Sequence, residues 1–233
     1  MLHRGQLSRR TILRNALTAG AVFAAPNIVR AAVCEVTPAE VEGPFYMNDY
    51  DRKAPLSNNN NDLTQIPGAE RAADGEVIYV GGQVTTGDCR PVKNATVEIW
   101  QSCVTGRYAH VRDPNPAPID PYFRYSGESL TDDEGRYSFK TIKPGAYPLP
   151  GGLARTPHIH FRVVALSPIL TTQMYFAGEP LNEKDILLNH HPKAEQKRVV
   201  IEPSTRPGSY GEENYYEFAL TIDSFPFSIQ PTD

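Results

Sequence analysis

The sequence predicts an all-β fold, an antiparallel β-sandwich core with long loops, an N-terminal arm and few short helices. Two observations carry that prediction. From Glu76 onward, short runs alternate apolar and polar side chains at period two, the repeat of a strand that buries one face. The chain also holds 17 glycines and 21 prolines among 233 residues, a share above ordinary usage that favours many short elements joined by turns. A hydrophobic content of 40% is enough for one core and far from the composition of disordered chains.

Residues 1–31 stand apart, with five arginines and no acid. Ser8-Arg9-Arg10-Thr11-Ile12-Leu13-Arg14 precedes the apolar run Ala16 to Ala25, which is too short to span a bilayer and has the length of an export signal. The paired arginines resemble a bacterial twin-arginine signal, whose route carries folded proteins. Val29-Arg30-Ala31 places small residues where a signal peptidase reads. The mature chain is therefore expected to begin at Ala32 and to be periplasmic or extracellular, with no stable membrane anchor.

Residues 32–74 are polar and turn-rich and read as an arm wrapped on the domain. Residues 75–233 form the sandwich, with strands expected around Val77, Tyr79 and Val84; Val97 and Ile99; Tyr137 and Phe139; Ile159, Phe161 and Val163; and Tyr216, Phe218, Leu220 and Ile222. Asp133-Glu134-Gly135 and Lys143-Pro144-Gly145 mark turns. Asp113 to Gly127 reads as a functional loop, and Asn182 to Asn189 and Lys193 to Lys197 as short helical pieces.

Without residues 1–31 the chain carries 18 basic against 27 acidic side chains and shows no basic stripe, which excludes nucleic acid as a partner. In an oxidising compartment the three cysteines acquire meaning. Cys89 and Cys103 flank the β-rich stretch Val92 to Trp100 and are expected to pair, leaving Cys34 over. No Cys-x-x-Cys occurs, which argues against a thiolate zinc site.

The chemistry centres on Thr156-Pro157-His158-Ile159-His160-Phe161-Arg162-Val163. Histidines at i and i+2 on a strand leave the same face, as half a metal site or as a hydrogen-bonded pair. His190-His191, beside Pro192, reads as solvated, and Trp100 as core. No Asp or Glu lies within ten residues before His158 or after His160 to complete a two-histidine, one-carboxylate triad. Tyrosines are abundant instead, and Tyr108 and Tyr147 sit in turn-rich settings just outside strands. A tyrosine ionises near pH ~10, and only a strongly Lewis-acidic cation makes its phenolate a stable ligand near neutrality; ferric iron meets that demand.

Six ordered segments resemble the intradiol ring-cleavage dioxygenases, and within them the iron-bearing chain of the protocatechuate type. They are Glu42-Gly43-Pro44-Phe45-Tyr46, Ala95 to Gln101, Gly106-Arg107-Tyr108, Leu130 to Gly135, Thr141 to Pro148 and Arg155 to Phe161. The resemblance implies a β-sandwich, a mononuclear non-haem Fe(III) held by Tyr108, Tyr147, His158 and His160, and a small aromatic diol and O2 as the reacting partners, with self-association left open. It makes Tyr147 and His160 the axial pair and Tyr108 and His158 the equatorial one. Tyr147 would leave the metal and take a proton as the catechol chelates, and the ring would open between its hydroxylated carbons to a cis,cis-muconate-type diacid. Arg155 and Gln173 are implied to steady the substrate's developing negative charge, while Pro44 and Tyr46 fit equally a wall of the pocket and an arm packed on the sandwich. After Tyr147-Pro148 the chain has Leu149-Pro150-Gly151-Gly152, where protocatechuate-type enzymes carry a tryptophan and a longer polar segment, so the ring's substituents stay unassigned. The competing readings are a noncatalytic β-sandwich binding module, which would predict lost ligand positions, and a zinc hydrolase, which lacks a nearby carboxylate or thiolate.

Overall fold

The computed structural model describes residues 33–46, 60–165, 169–208 and 211–223. The export signal over residues 1–31 lies outside them. The described strands are β1 (Val77–Thr86), β2 (Thr96–Trp100), β3 (Ser126–Leu130), β4 (Arg136–Ile142), β5 (Tyr147–Pro148), β6 (Ala154–Arg155), β7 (His158–Val164), β8 (Ile169–Phe176), β9 (Val200–Ile201), β10 (Ser204–Gly208), β11 (Gly211–Glu217) and β12 (Leu220–Ile222). One α-helical turn, α1 (Lys193–Gln196), and 3-10 turns at Pro180–Glu183 and Leu188–His190 fall where short helical pieces are expected. No helix among the described residues is long and apolar enough to cross a membrane.

In the first sheet β1 pairs antiparallel with β4, while β11 and then β12 run parallel to it along its length. The second sheet has the order β3-β2-β7-β8-β9, and β5 and β6 form a small ladder of their own. Parallel pairings thus enter a sandwich read as antiparallel, because alternation tells which face is buried and not which way the partner runs. The core between the two large sheets takes Ile78, Val80 and Phe139 from one and Val97, Ile99, Ile159, Phe161 and Val163 from the other, with the rings of Phe139 and Phe161 6.5 Å apart.

Six of the described strands, β3, β5, β6, β8, β9 and β10, lie outside the expected runs, and two of these escape for identifiable reasons. β8 is buried on both faces over Thr172–Phe176, so its apolar and polar residues do not alternate. β3 has the sequence Ser-Gly-Glu-Ser-Leu and begins at Ser126, inside the stretch read as a loop. Its Gly127 and Ser residues carry little strand propensity.

The expected Cys89–Cys103 disulfide does not form. Cys34 pairs with Cys89, and Cys103 is free and buried. The reason lies in the path of the arm, which runs back along the domain so that the Cys34 N–H donates to the Gly87 carbonyl beside Cys89. Cys103 instead turns its sulfur toward the Thr105 hydroxyl at 3.1 Å. Beyond Cys34 the start of the arm is bonded to the domain: Thr37 N–H to the Thr221 carbonyl, Glu40 N–H to the Thr171 carbonyl on β8, and the Thr172 hydroxyl to the Pro38 carbonyl.

Candidate active site

β7 carries the His-x-His pair. Its residues Ile159, Phe161 and Val163 fill the core, which turns His158 and His160 to the other face of the sheet. That face is covered, and both imidazoles are buried. His158 Nδ1 lies 2.7 Å from the Thr156 carbonyl, which can only accept, so Nδ1 carries the proton and Nε2 presents its lone pair. The Nε2 atoms of His158 and His160 lie 3.2 Å apart.

The tyrosines arrive on two loops. Tyr108 follows β2, and Tyr147 opens β5. Gly106 has φ 81°, and a Cβ there would lie 2.0 Å from the Ala146 carbonyl oxygen, so the loops meet only because residue 106 lacks a side chain. The stretch read as a functional loop acts as a prop for the first of them. Asp113 Oδ2 accepts the Tyr108 N–H at 2.7 Å, Asn115 Nδ2 donates to the Gly106 carbonyl at 3.1 Å, and Arg107 Nη1 donates to the Ala117 carbonyl at 2.7 Å.

The four rings close a circuit. Centroids are 5.7 Å apart for Tyr108 and Tyr147, 5.7 Å for Tyr147 and His158, 4.9 Å for His158 and His160, and 6.4 Å for His160 and Tyr108. The buried Tyr108 hydroxyl and His160 Nδ1 make no hydrogen bond. Burial, reinforced by the nearby Arg155 charge, holds both imidazoles well below their ordinary pKa and therefore neutral. Burial pushes the Tyr108 phenol well above its ordinary value, and Tyr147 adds to the effect. Burial also raises Tyr147, against a downward pull from Arg155. Among the described residues no three His, Cys, Asp or Glu side chains gather to hold a metal, so the donors here are two imidazole nitrogens and two phenol oxygens. Phenols buried in this way give up their protons only to a strong Lewis acid, which is the demand Fe(III) meets.

Arg155, on β6 opposite Tyr147 on β5, is 4% exposed. Its Nη2 donates to Gln173 Oε1 at 2.7 Å, and Gln173 in turn donates from Nε2 to the Val41 carbonyl at 3.3 Å. Burial opposes the guanidinium charge, but Tyr147 and Asp185 more than offset this and hold its pKa above the ordinary value. Arg155 and Gln173 are thus brought together by a direct hydrogen bond beside Tyr147.

Trp100 is buried, as the sequence reading has it, but in a second apolar cluster with Tyr108 and Tyr147, its indole stacked on the His160 ring at 4.8 Å and 11°. The arm supplies the roof. Phe45 lies 4.7 Å from the Tyr108 ring and 6.2 Å from Tyr147, and Tyr46 packs its edge on Trp100 at 4.8 Å. Pro44 is exposed, while Phe45 and Tyr46 are half-buried. Arg162 Nη1 and Glu98 Oε2 hold the Tyr46 hydroxyl at 2.8 and 2.9 Å. His191 is not solvated as expected. Its Nε2 lies 2.8 Å from Glu40 Oε1, which also accepts from the Tyr175 hydroxyl at 3.1 Å. Asp185, the carboxylate that holds Arg155 Nε at 2.8 Å, lies 30 residues from it in sequence and carries no motif that would have singled it out.

Comparison with known proteins gives the site a context. Residues 41–223 match the family model described as Dioxygenase. The chain is 39% identical to the protocatechuate 3,4-dioxygenase beta chain of Burkholderia cepacia over 167 residues, 70% of this chain and 71% of that one. It is 31% identical to the catechol 1,2-dioxygenase of Candida albicans over 69% of this chain, spanning 56% of that protein's length. Among solved structures, the dioxygenase domain of a dioxygenase and carbohydrate-binding protein fusion from Streptomyces sp. SirexAA-E is similar with TM-score 0.55 and 28% identity, covering 81% of this chain and 99% of that one.

Proposed function

The chain belongs to the intradiol ring-cleavage dioxygenases, and on that premise we propose that it opens a catechol-type aromatic ring with O2, using a mononuclear Fe(III) held by Tyr108, Tyr147, His158 and His160. The observation that carries this reading is the closed circuit of four buried rings, with two imidazole Nε2 atoms 3.2 Å apart beside two phenols. When bound, ferric iron supplies the Lewis acid that takes up the diol as its dianion and passes electron density from it toward O2.

The rest falls to the chain's own residues. The Tyr147 oxygen, deprotonated while it serves as a ligand, would accept a proton from the incoming diol hydroxyl and become the neutral phenol. Arg155, fixed beside it and held charged, offsets the negative charge that develops on the ring. Gln173 orients that guanidinium through Oε1. Phe45 and Trp100 present apolar surface to the site and keep water from it. The product expected is a cis,cis-muconate-type diacid. With iron-loaded protein and 18O2, both labelled atoms should appear in that diacid. A semialdehyde product, or no turnover of catechol, protocatechuate, hydroxyquinol or chlorinated catechols, would reject the reading.

Export belongs to the same proposal. It is supported by the Arg9-Arg10 pattern ahead of a short apolar run and by the Cys34–Cys89 disulfide, which suits an oxidising compartment. Replacing Arg9 and Arg10 by lysine should strand the protein in the cytoplasm, and normal export of that variant would rule this route out.

A further inference from the structure

We propose that Asp185 is a positioning residue of this site, one that aims Arg155 at Tyr147 and Gln173. The proposal rests on the functional reading above and adds a residue that lies outside the four rings and the guanidinium itself. Asp185 is 0% exposed and sits between the 3-10 turns Pro180–Glu183 and Leu188–His190. Its two oxygens divide their work. Oδ1 accepts the backbone N–H groups of Leu187 at 3.1 Å and Leu188 at 3.0 Å, while Oδ2 accepts Arg155 Nε at 2.8 Å and the Thr156 N–H at 2.9 Å. All four neighbours are donors, matching the acceptor-only chemistry of an ionised carboxylate.

A guanidinium is planar, with its donors in a rigid fork. Arg155 is fixed in two directions at once, by Nε on Asp185 and by Nη2 on Gln173, so its plane cannot turn without breaking one bond. A second tie, between the Thr156 hydroxyl and Asn182 Oδ1 at 2.8 Å, fastens the same strand end to the same segment. The segment 180–190 supplies none of the four rings, yet it sets where the positive charge stands. Replacing Asp185 by asparagine would turn an amide NH2 toward groups that are all donors, which loosens the aim on one side or the other.

The test measures kcat for catechol, iron content and the visible tyrosinate absorption of iron-loaded wild type, Asp185→Asn, Arg155→Ala and the double variant. Asp185→Asn should keep its iron, shift the tyrosinate band and lower kcat by about tenfold or more, the size of effect that misplacing a catalytic group produces. In the Arg155→Ala background the same change should lower kcat by no more than about twofold, because a residue acting through Arg155 has nothing left to aim. Equal losses in both backgrounds, or full kcat in Asp185→Asn, would overturn the proposal. If Asp185→Asn does not fold, Arg155→Lys decides, since lysine keeps the charge but cannot bridge both partners. Its kcat should fall toward that of Arg155→Ala, and a value within about twofold of wild type would overturn the aim. Wild-type protein that binds iron and turns over no catechol sinks the functional reading, and this placement with it. Active wild type beside an unchanged Asp185→Asn sinks the placement alone.

Discussion

Gly106 and Ala146 meet backbone to backbone, and this meeting brings the Tyr108 and Tyr147 loops together. A methyl group at residue 106 would lie 2.0 Å from the Ala146 carbonyl oxygen, in a conformation with φ 81° that side chains rarely adopt. Gly106→Ala should therefore push the two phenols apart and lower iron content and visible colour together, as measured by metal analysis and absorption. Retention of full colour would mean that the loops can part without moving the rings.

The two tyrosines should respond differently to loss of the hydroxyl. Tyr108→Phe removes a buried oxygen that has no hydrogen-bond partner of its own, so the variant should fold, lose its colour and lose turnover. Tyr147→Phe should keep part of its iron and lose most of its rate, because the assigned role of that oxygen is to accept a proton. Iron stoichiometry and single-turnover rates on the pair distinguish the roles, and identical behaviour would erase the distinction.

Arg155→Ala should retain iron and raise the barrier by about 2 to 4 kcal/mol, the range for losing one charge-stabilising donor. It also leaves Asp185 buried without its cation, so a fall in stability of about 3 to 5 kcal/mol is expected alongside. Denaturant unfolding and steady-state kinetics measure the two effects separately. A variant with wild-type kcat would remove Arg155 from the chemistry.

Trp100 holds the His160 ring by stacking, and truncating it should be felt both in stability and at the metal. Trp100→Ala should cost about 3 to 5 kcal/mol of folding stability, the range for emptying a buried aromatic site, and weaken iron binding. Trp100→Phe, which keeps a flat ring against the imidazole, should lose far less iron affinity in a competitive chelator titration. Equal weakening by both would show that stacking is not what places His160.

The disulfide closes a separation of 55 residues and should stabilise the chain by about 4 kcal/mol on the loop-entropy model. Mass analysis of unreduced peptides should find Cys34 joined to Cys89 and Cys103 free. Cys34→Ser should lower the unfolding midpoint with little change in iron content, since the arm keeps its bonds to β8 and Thr221. Loss of iron in that variant would mean that the tether also places the roof over the rings.

Residue type and periodicity made much of this legible. The His pair could be read because Ile159 and Phe161 demand the core and leave His158 and His160 one face. The same rule, applied to β2, assigns Trp100 to the face of Glu98 and away from Val97 and Ile99, so its place beside His160 was available to alternation. Asp185 could not be read, because a carboxylate 30 residues from Arg155 becomes its partner only once the segment 180–190 has folded back. The disulfide was misread for a related reason. Nearness in sequence favoured Cys103, while the return path of the arm along β1 and β12 is a property of the whole chain.

The roof over the rings is built of segments separate from the beams that carry the histidines. Phe45 and Tyr46 come from the arm and Leu149 from a short loop, all outside the two large sheets, whereas His158 and His160 stand on a strand whose other face is core. Gly151 and Gly152, in the same loop as Leu149, have open space around them. The ring a site of this kind admits is thus adjustable in parts whose replacement leaves the sandwich core untouched. A lineage could refit the entrance for new aromatic compounds by insertion or exchange around residues 149–153, at little cost in folding stability and with the oxygen chemistry unchanged.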